Sequence, residues 1–586
     1  MAIWSRDGLL QNSWLAFRRA CKAVTCCFGM IWGMAKGYRP VDREQPFLLP
    51  PDMREWLPAD HPVWLVIRVV ESHLDTSAFH AARRTGGAGA AGYDPDMLVT
   101  LLMWAYANGV TSSRRIEQLC ATEVAFRVIC AQGAPDHVTI ARFRAALPGA
   151  VETLFTEVLV LCAKLGMGRL GTVALDGTKI TASASKAAGR TEEGLRKLAA
   201  QRVAAHAAAD AAEDELFGAG RRGDEVPPEA VNPASRDARI ARALAELEAE
   251  RTAAEAEREA QARAYLEALE CGPPPAGTPP AAAAVTAARL RLDRAEAAQR
   301  AKVAAWEAQR AEEAAAGIKR APGGRKPFAP EAHAGVGKAR AALAGAEAAA
   351  AEKQRKAAAK KGPGPVRNLT DPDSRLMPVR GGGFLQGYNA QNVTSEDKLI
   401  LATELTQDTT DTAWFEPMLR RAEDAAALIA ACRPPPPPGG RATTASPASP
   451  ASQDIDLFLA DAGYCSEHNL TIDGPDRLIA TGKHRDLEKA ARTQASAGPP
   501  PAASTAVTTM TARLATPEGI TAYRQRGHIA ETPHGHIKHN MRFRQLSVRG
   551  KPKAAAEWRF AATVHNLFKA LTTGHLTHAA LTALAT

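Results

Sequence analysis

One short apolar segment, residues 172–180, constrains the fold of this chain more than any other. It is rich in β-branched and aliphatic residues, and it brings Asp176 to the end of a predicted buried strand, directly before a glycine. A second apolar run, residues 457–464, also leads to an aspartate, Asp461, with a glycine two residues later. Since a strand that ends in a carboxylate holds the charge at a fixed point, both runs predict a polar site at a sheet edge.

A third acid, Glu531, lies in a predicted helical segment that is strongly basic. Residues 523–559 contain nine Lys or Arg against two acids. Magnesium prefers hard oxygen ligands, and two such ions can activate the attacking oxygen and stabilise the leaving one in phosphoryl transfer. Three carboxylates from separate elements, set among basic residues, therefore predict a two-magnesium phosphoryl-transfer site. The formal net charge of +10 favours a polyanionic partner, nucleic acid first.

The N-terminal part of the chain is predicted to be helical over residues 47–167. Asp136 caps a short predicted helix that carries Arg142 and Arg144, as a DNA recognition helix would. A surface helix with two solvated arginines explains the same pattern, so the residues alone leave both readings open. Residues 1–46 are predicted to be a poorly ordered leader, with Met34 as an alternative start.

Residues 187–366 interrupt the pattern with a composition rich in Ala, Glu, Arg and Lys. Alanine with charges four residues apart favours helix, and Gly/Pro-rich breaks divide the segment near residues 221–228, 271–275 and 321–327. Few large apolar residues are available to build a core. We interpret the segment as a helical hairpin or coiled coil with disordered joins, acting as a solvated spacer, with a substrate channel as the alternative.

The pattern changes again beyond residue 368. Two runs, 387–394 and 398–406, are typical of an antiparallel pair of strands, and a helix is predicted over 412–431. One more strand is expected at 477–481, and helices from 517 onward. Asp408 and Asp411, just beyond the strand pair, are the acids that would supply a ligand if one of the other three did not.

Several other patterns carry no function of their own. The G-x-G-x-x-G match at 87–92 follows a helical run instead of a strand, which makes it a loop and not a dinucleotide site. The spacing of His534, His536 and His539 does not put three rings on one helical face, so phosphate contact or plain surface positions are favoured over zinc. Nine cysteines without a C-x-x-C pair fit a reducing cytosol. No apolar run reaches about 18 residues, so no membrane partner is expected.

Five blocks occur in an order that is specific to a known family: residues 135–144, 174–179, 387–391, 459–464 and 523–538. On these blocks the chain resembles DDE-type insertion-sequence transposases. The resemblance implies an α/β ribonuclease H-like catalytic domain with a mixed sheet, formed by residues 168–186 and 367–586. This domain is interrupted by the helical insert at 187–366 and preceded by an all-α DNA-binding domain at 47–167.

The resemblance also implies roles for individual residues. The Tyr, Arg, Glu and Lys of the family's signature correspond to Tyr523, Arg526, Glu531 and Lys538. Six residues separate Glu531 from Lys538, as in the family, whereas four separate Arg526 from Glu531, one more than is usual. By this resemblance Asp176, Asp461 and Glu531 are the catalytic ligands of Mg²⁺, for which Mn²⁺ can substitute. The other three signature residues contact DNA, and Thr178 and Lys179 support Asp176 or the DNA backbone.

The implied function is binding of the element's terminal inverted repeats, followed by metal-dependent cleavage and transfer into target DNA. A homodimer assembled on the DNA ends and a cytoplasmic, nucleoid-associated location go with it. Two alternatives use the same residues differently. One is a ribonuclease H-like nuclease without strand transfer, and the other is an inactive DNA-binding relic.

Overall fold

The computed structural model describes residues 52–81, 92–217, 236–271, 279–317, 326–359, 365–379, 381–434, 454–482 and 505–585. The predicted leader at 1–46, nearly all of the loop at 87–92 and most of the predicted breaks in the insert lie outside these ranges. Residues 1–58 form a unit separate from 59–586, and its described part carries one 3₁₀ turn, Met53–Glu55, which the side chain of Asp52 caps.

Short capped helices make up the N-terminal part of the second unit. Their starts follow from local chemistry: Asp94 accepts a hydrogen bond from the Asp96 amide, with proline at the first helical position, and Asp136 accepts from the amides of Val138 and Thr139. The helices are α1 Pro62–His73, α2 Ser77–Ala81, α3 Pro95–Ala107, α4 Ser113–Thr122, α5 Val124–Ile129, α6 His137–Ala145 and α7 Val151–Lys164.

A mixed sheet forms the centre of the fold. Its strands are β1 Thr172–Thr181, β4 Arg375–Pro378, β5 Phe384–Thr394, β6 Ile400–Thr406, β7 Leu457–Ala460 and β8 Asp476–Ile479. β5 runs antiparallel to β1, β4 and β6, whereas β7 is parallel to both β1 and β8. The predicted antiparallel pair, 387–394 with 398–406, corresponds to β5 and β6. The remaining strands, β2 Gly189–Thr191 and β3 Val366–Asn368, form a separate antiparallel pair.

The position of Asp176 in β1 differs from the prediction. The strand continues to Thr181, so Asp176 lies in its middle and not at its end. The continuation is possible because residues 174–181 all pair with β5. The pairing with β7, by contrast, stops at Leu175 and Ala460. Asp176 and Asp461 are therefore the first residues beyond the parallel pairing, on neighbouring strands.

The insert consists of long helices, α8 Glu192–Phe217, α9 Arg236–Cys271, α10 Ala284–Ala315 and α11 Ala334–Ala359. Contrary to the expectation of a purely solvated spacer, its base packs against the segment that follows β3. Leu195, Ile240 and Leu247 form a buried cluster with Leu369. Arg239 donates to the Leu369 carbonyl at 2.9 Å. The few large apolar residues of the insert are thus concentrated where it meets the rest of the chain.

The last part of the chain covers the sheet and joins it to the N-terminal helices. Its elements are α12 Phe415–Cys432, α13 Glu467–Thr471, α14 Ala506–Leu514, α15 Pro517–Arg526, α16 Thr532–Gly535, α17 Lys551–Thr572 and α18 His578–Ala585. Two π-helical turns, Gly527–Glu531 and His536–Asn540, flank α16.

Helix α17 is buried between two parts of the fold. On the sheet side, the Trp558 indole donates to the Thr403 hydroxyl at 2.9 Å, and the Asn566 side chain bonds both backbone groups of Ile400. On the side of the N-terminal helices, Tyr106 donates to Glu557 at 2.7 Å. Because α17 makes polar contacts in both directions, it fixes the N-terminal helices relative to the sheet.

Of the helices within the described ranges, none is long and apolar enough to cross a membrane alone. Residues 137–149 and 151–164 meet that criterion only as a pair, which is bent by 78°.

The pairing of β2 with β3 predicts how the insert can be removed. Thr191 lies opposite Val366, so an Asn-Gly turn can join them in place of residues 192–365. Loop entropy changes only with the logarithm of length. Removing the insert exposes Leu369, so the deletion is combined with Leu369→Ser. We expect this deletion protein to be soluble and to unfold cooperatively in a thermal melt. The deletion without Leu369→Ser should be less soluble. Aggregation of both would show that the insert covers more of the core.

A buried histidine, His565, predicts a pH dependence of stability. The His565 Nε2 atom lies 2.9 Å from the Lys398 carbonyl and its Nδ1 lies 3.0 Å from His536 Nδ1; burial lowers the pKa of His565 to about 3. The unfolded chain, with an ordinary histidine pKa, therefore binds this proton first as the pH falls. The stabilisation is complete above about pH 6.5 and is lost between pH 6.5 and 3, by about 2 kcal/mol at pH 5.

His565→Gln keeps a donor for the Lys398 carbonyl but cannot be protonated in this range. Denaturant melts at pH 8 and pH 5 should show a smaller loss of unfolding free energy for His565→Gln than for the wild type. His575→Gln, at an exposed position of the same region, should behave as the wild type does. Equal losses in all three proteins would contradict a buried neutral His565.

Candidate active site

Two aspartates stand side by side where β1 and β7 stop pairing. Asp176 and Asp461 each follow the last paired residues, Leu175 and Ala460. Neighbouring strands lie about 4.8 Å apart, so the two carboxylates are set close together by the backbone alone. Burial, with the neighbouring charge of Asp176 next in size, raises the pKa of Asp461 above its ordinary value. Two like charges held this close favour a cation between or beside them.

Asp176 is nearly buried, and two basic side chains lie beside its carboxylate. Its carboxylate lies 3.5 Å from Arg526 Nη1 and 3.5 Å from His534 Nδ1. Burial alone would raise the pKa of Asp176, but the hydrogen bond and charge of His534, followed by the Arg526 charge, lower it below the ordinary value. Asp176 is thus held ionised, as a metal ligand must be.

Asp461 is oriented by the turn that follows it. Its carboxylate caps the 3₁₀ turn Ala462–Tyr464 and accepts a hydrogen bond from the Gly463 amide at 2.9 Å. Glycine suits this position, because a Cβ there would lie 3.0 Å from the Asp461 Oδ1 atom and would press on the carboxylate. The aspartate–alanine–glycine pattern seen in the sequence is therefore a local device that fixes the carboxylate.

The third acid, Glu531, lies on the π turn Gly527–Glu531 and its side chain is 61% exposed. Arg526 Nη2 lies 3.6 Å from Glu531 Oε1, so Arg526 stands between Asp176 and Glu531. A π turn accommodates one residue more than an α turn, and it brings residues five apart onto one side. This explains the extra residue between Arg526 and Glu531: the helix widens there and keeps the two side chains together.

The other signature residues tie the same segment to β1. Lys538 Nζ donates to Thr178 Oγ1 at 2.5 Å and to the Lys179 carbonyl at 2.8 Å. Tyr523 is largely buried in a cluster under the sheet, with Ala174 and Leu459 among its members. Lys538 therefore supports the strand that carries Asp176, in addition to any contact with DNA.

Asp408 and Asp411, the two acids that could replace one of the three predicted ligands, have different surroundings. Asp408 accepts a hydrogen bond from the Trp414 indole at 2.6 Å and so supports the turn before α12. Asp411 instead faces the glycines beside both aspartates. A Cβ on Gly177 would lie 2.8 Å from Asp411 Oδ1, and a Cβ on Gly463 would lie 3.3 Å from Asp411 Oδ2. The sequence predicts both acids as alternative ligands, and only the tertiary structure distinguishes them.

The histidines beside Glu531 are not equivalent, and the prediction of plain surface positions is wrong for two of them. His534 is buried against Asp176, and His536 lies 3.0 Å from the buried His565 ring. Only His539 is exposed, where Arg544 lies 3.2 Å away. Their side chains point in different directions because the two π turns change the helical period.

The predicted DNA contact at Arg144 is contradicted by the structure. Its side chain is 4% exposed, donates to Ser547 Oγ at 2.8 Å, and lies over the Tyr106 ring and 3.9 Å from the buried Glu557. Arg144 therefore fastens α6 to α17. Arg142, two residues earlier on the same helix, is exposed and remains a candidate for DNA contact.

The chemistry of the donors fits a divalent cation. Asp176, Asp461 and Glu531 offer hard carboxylate oxygens, the type that Mg²⁺ and Mn²⁺ prefer. The arrangement is open: in the described part of the chain, the one group of three metal-ligating side chains within 4.8 Å of one another is the largely exposed set His80, Asp94 and Asp96. The Arg526 guanidinium occupies part of the space between Asp176 and Glu531.

Comparison with known proteins identifies two regions. A family model described as a transposase domain (DUF772) matches residues 51–146, and one described as a transposase DDE domain matches residues 489–571. No curated protein and no solved structure matches the chain. The chain thus carries two domains characteristic of transposases.

The two matches confirm the resemblance to DDE-type insertion-sequence transposases. A DDE domain implies phosphoryl transfer on DNA, and such domains use divalent metal ions. Glu531 lies within the second matched region, whereas Asp176 and Asp461 lie between the two regions.

The two arginines of α6 give a matched pair for a test. Arg142→Leu should weaken binding to end DNA. The slope of log affinity against log salt concentration should become shallower by about one, the value for one lost phosphate contact, and stability should not change. Arg144→Leu should lower the free energy of unfolding by roughly 3–5 kcal/mol, because it leaves the buried carboxylate of Glu557 without a cation beside it. Filter binding across a salt series and denaturant melts measure both. An unchanged salt slope for Arg142→Leu would remove α6 from the DNA interface.

Proposed function

We propose that this protein is a transposase that binds the terminal inverted repeats of its element and catalyses metal-dependent cleavage and strand transfer. The proposal is supported above all by the adjacency of Asp176, on β1, and Asp461, directly after β7, with the Arg526–Glu531 turn packed over Asp176. The strand order β6-β5-β1-β7-β8, with two antiparallel and then two parallel neighbours, supports a ribonuclease H-like catalytic domain.

Each residue of the site has a role that its surroundings support. Asp176 and Asp461 would hold Mg²⁺ or Mn²⁺ with Glu531, whose exposed side chain can turn toward them when DNA binds. The metal would activate the attacking oxygen and stabilise the leaving oxygen. Arg526 is poised to exchange its carboxylate partners for DNA phosphates, since it lies between two acids that metal would occupy.

Other parts of the chain would contribute to DNA binding. Arg142 on the N-terminal helices would contact end DNA, and Tyr523 and Lys538 would support or contact the DNA strand that is cut. A homodimer assembled on paired ends would bring two such sites to one target. Work on DNA would place the protein in the cytoplasm with the nucleoid.

A nuclease of the same fold remains the alternative, and the products of the reaction distinguish the two. The full-length protein is incubated with Mg²⁺, target DNA and donor DNA that carries the element's own ends. A transposase joins the cleaved ends to the target, whereas a nuclease gives cleavage without joined products. An inactive relic gives neither, although it still binds the ends.

Amide variants test the three acids individually. Asp176→Asn, Asp461→Asn and Glu531→Gln keep size and hydrogen bonding but remove a negative ligand. We expect cleavage and joining to fall roughly 100-fold or more, the scale seen when one charge-stabilising group is removed from an active site. End binding should persist, because it depends on basic residues elsewhere.

The control for these variants is Glu518→Gln, an exposed acid at the start of α15. It should leave both reactions unchanged. Normal cleavage by the Asp461→Asn or Glu531→Gln protein would contradict the assignment of that residue.

A further inference from the structure

Asp411 is held in a fixed orientation by the sheet. It follows β6, and its Oδ1 atom accepts hydrogen bonds from Asn389 Nδ2 at 2.6 Å and from Gln391 Nε2 at 2.7 Å. Both amides lie on β5 and are wholly buried, and the Tyr464 hydroxyl donates to the Gln391 carbonyl oxygen, which fixes the Gln391 amide. One oxygen of Asp411 is therefore saturated, and its other oxygen, Oδ2, takes no hydrogen bond from the described residues.

Oδ2 of Asp411 is turned toward Asp461. The position of a Cβ on Gly463 would lie 3.3 Å from Asp411 Oδ2 and 3.0 Å from Asp461 Oδ1, so both oxygens border the same point. On the other side, a Cβ on Gly177 would lie 2.8 Å from Asp411 Oδ1. A side chain at Gly177 would collide with Asp411, and one at Gly463 would crowd it. Asp411 thus gives a reason for the glycine after Asp176, which the three-carboxylate site leaves unexplained.

Acidic side chains outnumber lysine and arginine around Asp411, which favours binding of a cation. Lys179 Nζ lies 3.8 Å from Asp411 Oδ1, but Nζ is on the saturated side and also donates to the Thr409 carbonyl at 3.3 Å. Four acids lie around the site, Asp176, Asp461, Asp411 and Glu531, against three lysine or arginine side chains, Lys179, Arg526 and Lys538. A second sign is the carbonyl oxygen of Asn389: it is buried, has no hydrogen-bond partner in the described part of the chain, and lies 3.3 Å from the Gly177 Cβ position.

Taken together, these contacts divide the acids into two pairs. Asp176 and Glu531 lie on either side of Arg526, and Asp461 and Asp411 border Gly463. We propose that Asp411 is a fourth carboxylate of the metal site, which binds a divalent cation together with Asp461 through its free Oδ2 atom. The proposal rests on the proposed function in one respect, namely that Asp461 itself binds the metal.

Metal binding without DNA tests the proposal directly. Binding of Mn²⁺ to the full-length protein is followed by the loss of the free-ion signal in electron paramagnetic resonance. Asp411→Asn should keep its bonds to Asn389 and Gln391, because an asparagine carbonyl can accept both, and a thermal melt checks this. We expect its Mn²⁺ affinity to fall at least about tenfold, as is typical when a metal ligand, or a residue that hydrogen-bonds a ligand, is removed.

Asp408→Asn is the matched control, since Asp408 lies three residues away and bonds Trp414 instead of facing the site. Its Mn²⁺ binding should equal that of the wild type. If Asp461→Asn weakens Mn²⁺ binding but Asp411→Asn does not, the fourth ligand is wrong while the proposed function stands. If neither variant changes Mn²⁺ binding, the metal site itself is wrong.

A cysteine substitution separates direct ligation from a structural role. Mn²⁺ accepts a thiolate ligand far better than Mg²⁺ does. Asp411→Cys should therefore cleave end DNA poorly with Mg²⁺ and recover at least about tenfold with Mn²⁺, measured relative to the wild type in each metal. An equal deficit in both metals would overturn direct ligation and leave Asp411 as a residue that only supports the loop.

Discussion

The parallel pairing of β1 with β7 is the constraint on which the rest of the site depends. It sets Asp176 and Asp461 beside each other in a partly buried place, where two negative charges repel. The surrounding structure places basic side chains beside Asp176: Arg526 and His534 each lie 3.5 Å from its carboxylate. Arg526 also has Glu531 as a partner at 3.6 Å, so this one guanidinium contacts two of the three proposed metal ligands.

The local irregularities of the chain serve this arrangement. The π turn at Gly527–Glu531 keeps Arg526 and Glu531 on one side despite an additional residue between them. Lys538, in the next π turn, fastens the segment to β1 through Thr178. Each of the two π turns therefore carries a residue of the proposed site.

Much of this was predictable from the sequence, because apolar runs that lead to aspartate and the strand pair at 387–406 are local patterns. The burial of Arg144 was not, since its partners Glu557 and Ser547 lie some 400 residues away in the chain. The middle position of Asp176 in β1 depends on pairing with β5, which a single strand does not reveal. Asp411 and Asp408 look alike in sequence, and only the folded contacts with Gly177 and Gly463 distinguish them.

Iron-directed cleavage of the protein tests most directly whether Asp176, Asp461 and Glu531 together bind the metal. Fe²⁺ replaces Mg²⁺ in the full-length protein bound to end DNA, and ascorbate with peroxide generates radicals that cut the nearby backbone. We expect cuts close to residues 176, 461 and 531, all of them lost in the Asp461→Asn protein. Cuts confined to the neighbourhood of His80, Asp94 and Asp96, the other candidate ligand group, would contradict it.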